Sequence, residues 1–159
     1  MNEADDFWEE ISGCYDFIVE RRRGYLNWRY CDPRAGDFVV KQARENGKIL
    51  GYSVLKINEF EKAYPMGHIV DLLALPDRLD VANALVADAV NYFDENSVNT
   101  VTCLMVKNHP YVNILNRYGF LNSRFKINIV FRARSHEVEE ELGNVRKMHF
   151  TYGDIDSLP

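Results

Sequence analysis

Cysteine is scarce in this chain. Only Cys14, Cys31 and Cys103 occur among 159 residues, widely spaced and with no Cys-x-x-Cys pair. That argues against a disulfide framework and a paired-thiol zinc site, and it predicts reduced thiols in a cytoplasmic protein with no metal. Proline is scarce as well, at 5 residues, and no low-complexity stretch separates two halves. No apolar run approaches the roughly 20 residues of a membrane-spanning helix, so no membrane partner is expected. The opening residues Met1-Asn2-Glu3-Ala4-Asp5-Asp6 are acidic with no apolar stretch behind them, unlike a signal peptide. Basic charge is not in excess either: the net charge is −5 and the pI is about 5.4. A general nucleic-acid binder needs a basic surface to displace counterions from phosphate, so nucleic acid is not expected as a partner.

What is present is a globular balance, 47% hydrophobic and 27% charged. One domain accounts for that length. It divides into an N-terminal helical segment over residues 1–35 and a core over 36–159. Asp5 is placed to cap a first helix carrying Phe7, Trp8 and Ile11, with Gly13 ending it. A second helical stretch is predicted from Tyr15 to Tyr30, with Arg21-Arg22-Arg23 on its solvated part and Tyr25, Trp28 and Tyr30 facing the sheet or an acceptor pocket. Asp32-Pro33 stops it, because a proline disfavours helix in the residue before it.

From Asp37 the apolar period becomes two. Phe38–Ala43 and Ile49–Ile57 read as strands joined at Asn46-Gly47, a pair that supplies the positive φ values of a tight turn. Met66–Leu75 is apolar on both faces, as in a central strand. Val81, Ala82, Leu85, Val86, Ala89, Val90 and Phe93 mark a strongly periodic helix. Val98–Val106 is the next buried strand. Asn108-His109-Pro110 opens a short helix that Gly119 ends. Phe125–Ala133 and Lys147–Tyr152 read as two late strands around a charged connector, Ser135–Asn144. Helical crossovers demand parallel neighbours, and hairpins give antiparallel ones. The expected fold class is therefore α/β: a mixed sheet with helices on both faces.

Two segments carry a family likeness. One is Leu104-Met105-Val106-Lys107-Asn108-His109-Pro110 through Leu115-Asn116-Arg117-Tyr118-Gly119-Phe120. The other is Ile69-Val70-Asp71-Leu72-Leu73-Ala74-Leu75-Pro76, followed by Ala84-Leu85-Val86. In that order they resemble the core of the GNAT acyltransferase superfamily, over about residues 36–152. Tyr25-Leu26-Asn27-Trp28-Arg29-Tyr30 and His149-Phe150-Thr151-Tyr152-Gly153-Asp154-Ile155-Asp156 are similar to a less-studied branch of it. GNAT proteins normally begin with a strand. No strand signal precedes Asp37, so this first strand is expected to be missing. Phe38–Ala43 then becomes a sheet edge for a helix, or a second copy in a homodimer, to cover.

The resemblance implies an acyl-CoA, acetyl-CoA in the simplest case, entering a split between Met66–Leu75 and Val98–Val106. Leu73, Ala74 and Leu75 would meet the pantetheine with their backbone. Arg78, Val81, Ala82 and Asn83 would hold the pyrophosphate at the following helix start, where N–H groups and the dipole favour an anion. Asn108 would contact the cofactor or cap its helix. Asp71, a carboxylate in an apolar strand, is the implied catalytic residue, as base or amine anchor; the other reading is a structural Asp paired with an Arg or backbone donors. His68 and Asp71 are three apart and so expected on opposite faces of the strand, which rules against a metal site. His109 reads as a loop residue. His149, Asp154 and Asp156 are weaker candidates for the acceptor side. The implied reaction is N-acyl transfer to a small-molecule or peptide amine.

The chain also departs from the family pattern. Family loops read Arg-x-x-Gly-x-Gly/Ala, whereas Pro76-Asp77-Arg78-Leu79-Asp80-Val81-Ala82-Asn83 holds no glycine. The usual thiolate acid is a Tyr four residues before the Gly of Gly-Phe, and that position is Leu115. Two other readings therefore stand beside the enzyme: a non-catalytic binding module, including one half of a larger two-domain protein, and an enzyme with another activated donor such as an aminoacyl group.

Overall fold

The structure is a computed structural model that describes residues 3–58, 64–123, 127–130, 132–143 and 145–155. Its centre is a four-stranded sheet in the order β1-β2-β3-β4, formed by Val39–Glu45, Lys48–Asn58, Met66–Ala74 and Thr100–Cys103. The β1–β2 hairpin turns on Asn46 and Gly47, at φ 50° and 85°. These are the left-handed values that the Asn-Gly pair tolerates. β2 and β3 are antiparallel, and β3 and β4 are parallel. The sheet is thus mixed, as expected, and β1 is its edge.

Helices cover both faces. On one side α3 (Leu79–Glu95) and α4 (Tyr111–Arg117) pack on Leu55, Ile69, Leu72 and Ala74 through Leu85, Val86, Ala89, Phe93, Ile114 and Leu115. The Phe93 ring lies so close to β3 that a Cβ on Gly67 would come within 2.7 Å of it. Burying side chains such as Phe93 and Leu85 contributes about 1.5–3 kcal/mol each. On the other side α1 (Ala4–Ile11) brings Phe7, Trp8 and Ile11 onto Ile49, Tyr52, Val54, Val70 and Leu73. Leu26 and Tyr30 join this second core from the short helix α2 (Arg23–Leu26), which continues as a π-type turn over Asn27–Cys31.

Several expectations are corrected. Asp5 lies inside α1 instead of capping it, and its Oδ1 accepts the Arg23 N–H at 2.8 Å, so it anchors the start of α2. The long second helix is only its C-terminal half. Residues 15–22 are not helical, because Phe17 bridges to Met148 and Arg21 is drawn into the core. Among the described residues before Asp32 none forms a strand, in keeping with the missing first strand. β4 stops at Cys103, short of Val106.

The late strands fare differently. Part of Phe125–Ala133 lies outside the described residues, and residues 127–130 and 132–133 are not in a strand. Lys147–Tyr152 contributes the single bridge at Met148 and then a 3-10 turn, Tyr152–Asp154. Within the charged connector lies α5 (His136–Gly143), which its period did not announce because it buries no residue. Gly119 does end α4, with φ 86°.

A bulge in β3 sets the site. Ile69 pairs with Leu55 and Asp71 with Val54, so Val70 is an extra residue. An extra residue re-aims the side chains that follow it. His68 and Asp71 consequently do not diverge. Both meet the C-terminal segment: the His68 ring stands edge-on to Tyr152, and Asp71 bonds Thr151.

Candidate functional site

Asp71 is fully buried, and every direction around it is occupied. Oδ2 accepts from Arg21 Nε at 3.0 Å, the Tyr52 hydroxyl at 2.9 Å and the Tyr30 hydroxyl at 3.2 Å. Oδ1 accepts from the Thr151 hydroxyl and the Leu72 N–H, both at 3.1 Å, and His149 Nε2 stands 3.6 Å away. The Arg21 guanidinium also faces Asp154 at 2.6 Å and donates to the Val19 carbonyl at 2.9 Å. Burial alone raises the pKa of a carboxyl. Here the Arg21 charge and the His149 and Tyr52 contacts outweigh it and hold Asp71 well below the usual range. A carboxylate so satisfied accepts no proton near neutral pH. Its arrangement is that of a carboxylate paired with an arginine and enclosed by donors.

The tail is fitted to this cluster. Thr151 caps the 3-10 turn, with its N–H bonded to Asp154 at 2.9 Å. Gly153 passes so close to Tyr30 that a Cβ would overlap the tyrosine hydroxyl. Arg29 holds the Ile155 carbonyl at 2.6 Å. Asp156 lies outside the described residues.

From Asp71 a line of rings runs along the molecule. His149, fully buried, places Nδ1 3.4 Å from His109 Nε2. His109 Nδ1 accepts the Tyr111 N–H at 3.3 Å, so the neutral ring carries its proton on Nε2 and points it at His149. Burial, with His149 adding to it, pushes His109 down to about 3. Tyr15 stacks on His109 with its hydroxyl 3.5 Å from Nε2, and burial pushes that phenol up to about 12.

The line ends where β3 and β4 part. Their pairing runs only from Met66–Thr100 to Ile69–Cys103, although β3 continues to Ala74. Backbone alternation decides what faces the gap. The Leu75 N–H is directed to β2, where it donates to the Leu50 carbonyl at 3.0 Å, and Leu73 pairs with Tyr52. The expected free groups of Leu75 are therefore committed. Ala74 faces the gap instead. Its N–H donates to the Tyr111 hydroxyl at 2.8 Å, and that hydroxyl donates back to the Ala74 carbonyl at 3.0 Å.

The remaining expected residues lie beyond the gap. Arg78 precedes α3 and is bound by Asp80 at 2.9 Å and Glu45 at 3.4 Å. Val81 and Ala82 are buried in the core, and both their N–H groups donate to the Arg78 carbonyl. Asn83 is half-buried and Asn108 exposed. His109, not Asn108, takes the first helical N–H of α4.

A family model for the acetyltransferase (GNAT) family matches residues 4–120, more than half of the sequence. This chain belongs to the GNAT family. Solved structures share its fold. An acetyltransferase candidate from Agrobacterium tumefaciens str. C58 is 18% identical, with a TM-score of 0.63, over 82% of this chain and 94% of that one. An aminoglycoside acetyltransferase from an uncultured soil metagenomic sample, solved with sisomicin, is 15% identical, with a TM-score of 0.55, over 83% and 87%. A transcriptional regulator from Bacillus halodurans C-125 is 11% identical, with a TM-score of 0.62, over 82% and 94%. A search of curated proteins gives no match.

Within this GNAT fold, sequence reasoning missed Arg21, Tyr15, Tyr52, Thr151 and Tyr111, and it underrated His109 and His149. Arg21 was hidden by its neighbours, since three consecutive arginines carry no mark of which one is buried. Leu115 is buried in the core of α4 and offers no proton at the position where the family keeps its acid.

Proposed function

We propose that this GNAT chain transfers an acyl group from an acyl-CoA, acetyl-CoA in the simplest case, to the amine of a small molecule or peptide. The observation that carries the reading is the parting of β3 and β4 after Ile69–Cys103, which leaves the Ala74 backbone pair facing a gap instead of a strand. An extended amide-bearing chain such as pantetheine can pair with such groups. The start of α3 offers an anion the positive end of a 17-residue helix, although Asp80 weakens it. The amine then attacks the thioester carbonyl, loses a proton, and the thiolate departs. Asp71 enters this reaction only by fixing His149 and the tail. His109, held neutral at low proton affinity, is a weak base, so water at the rim takes the amine proton and returns one to the thiolate. A well-placed general acid contributes about 10²–10⁴-fold. With Leu115 in its place, turnover on simple amines is expected to be slow by that order.

Two observations favour the non-catalytic module as a second reading: Leu115 itself, and an Arg78 already engaged by two carboxylates. The discriminating experiment is titration calorimetry with acetyl-CoA and longer acyl-CoAs, followed by a thiol-release assay over primary amines, aminoglycosides and short peptides. Binding with slow thiol release supports the enzyme. Binding without release selects the module, and no binding removes the acyl-CoA reading.

A further inference from the structure

The polar contact that stands out is one a strand partner or ligand would normally make. Past Ile69–Cys103, no strand among the described residues lines the β4 side of β3, and a buried backbone N–H and C=O left unpaired there are costly. Tyr111, 1% exposed, resolves this with a single atom. Its hydroxyl accepts from Ala74 N–H and donates to Ala74 C=O, matching the donor and acceptor that a ligand amide presents to a strand edge. Its ring is held from the side, edge-on to His109 with centroids 4.3 Å apart, and its own N–H is fixed by His109 Nδ1.

We propose that Tyr111 is a built-in occupant of the acyl-donor groove, and that an acyl-CoA binds only after displacing its hydroxyl from Ala74. The proposal rests on the acyl-CoA reading above and adds a gate to it. In the closed state the groove's recognition pair is satisfied internally, so apparent affinity is lowered by the fraction of molecules in which Tyr111 has moved away. The rings of His109, His149 and Tyr15 behind it make the closed state the resting one. The gate also sets selectivity. A donor must supply both an acceptor and a donor to Ala74, which favours amide-bearing carriers such as pantetheine over simple thioesters.

The experiment compares the unmodified chain with Tyr111→Phe by titration calorimetry against acetyl-CoA and against a short acetyl thioester lacking amides. Phenylalanine keeps the ring and frees the Ala74 pair. Two hydrogen bonds of ordinary strength hold the gate, so Tyr111→Phe should bind acetyl-CoA about tenfold more tightly or better, with no gain for the simple thioester. Equal or weaker binding by the variant, where the unmodified chain binds, overturns the gate and leaves the acyl-CoA reading intact. Failure of both chains to bind overturns both. If the variant does not fold, nuclear magnetic resonance on the unmodified chain decides: the Ala74 amide and Tyr111 ring signals must move together on adding acetyl-CoA. A bound state with the Tyr111 signals unmoved overturns the gate.

Discussion

Replacing Asp71 by Asn tests the role assigned to the buried cluster. The two side chains have nearly the same shape, but Asn carries no charge and presents an NH₂ to a shell made of donors. Oδ2 is bonded by Arg21, Tyr30 and Tyr52, and Oδ1 by Thr151 and Leu72. Whichever way the amide is turned, its NH₂ faces donors. Arg21, fully buried, keeps Asp154 as its one counter-charge among the described residues. Removing one partner of a buried ion pair costs about 3–5 kcal/mol. For a domain of this size that is a fall in melting temperature of roughly 6–20 °C, at about 2–4 °C per kcal/mol. The pH dependence gives an independent check. The folded-state pKa of Asp71 is lowered, so its stabilisation is complete above the unfolded value of about 3.9 and is lost as pH falls toward the folded one. Asn has no such proton, and the variant's unfolding curve should lose that share of its acid slope. Urea unfolding followed by circular dichroism between pH 2.5 and 7 measures both. A variant within about 1 kcal/mol of the unmodified chain at pH 7, or one with an unchanged acid slope, refutes the structural assignment. A folded variant that binds acetyl-CoA but has lost all transfer would return Asp71 to catalysis.

Gly153→Ala should destabilise by about 1–3 kcal/mol through overpacking against the Tyr30 hydroxyl. Chemical denaturation measures it, and the loss should shrink when Tyr30→Phe is added. The His109 ring should not titrate between pH 5 and 8 in the folded protein, because its pKa is lowered to about 3. The unfolded chain takes up that proton below about 6.5, so His109 costs stability as pH falls from there toward 3, by up to about 1.4 kcal/mol per pH unit. Ring-proton resonances and the slope lost in His109→Gln check the two halves of that statement. The tenfold gain in acetyl-CoA affinity for Tyr111→Phe and the slow thiol release of the unmodified chain are the remaining expectations.

The sequence by itself determined what neighbours along the chain can encode. Asn46-Gly47 specified a hairpin turn, the period of Val81–Phe93 a helix with one buried face, the apolar run of Met66–Leu75 a central strand, and Gly119 a helix end. Their order determined the mixed α/β sheet and its family. Tertiary structure decided the site, because its contacts join residues far apart: Arg21 to Asp71 across 50 positions, Thr151 to Asp71 across 80, His149 to His109 across 40, Tyr111 to Ala74 across 37. A bulge at Val70, which no period announces, turned Asp71 toward Arg21 and the tail. Residues 15–22 have helical-looking composition, but burial of Arg21 between two carboxylates kept them out of a helix. The late segment around Met148 has strand periodicity and found one bridge, with Phe17, instead of a ladder. Local pattern fixes a preferred conformation at small free-energy cost. Which arginine is buried, and which hydroxyl fills a gap in a sheet, depends on desolvation and pairing that exist only once the chain has closed on itself.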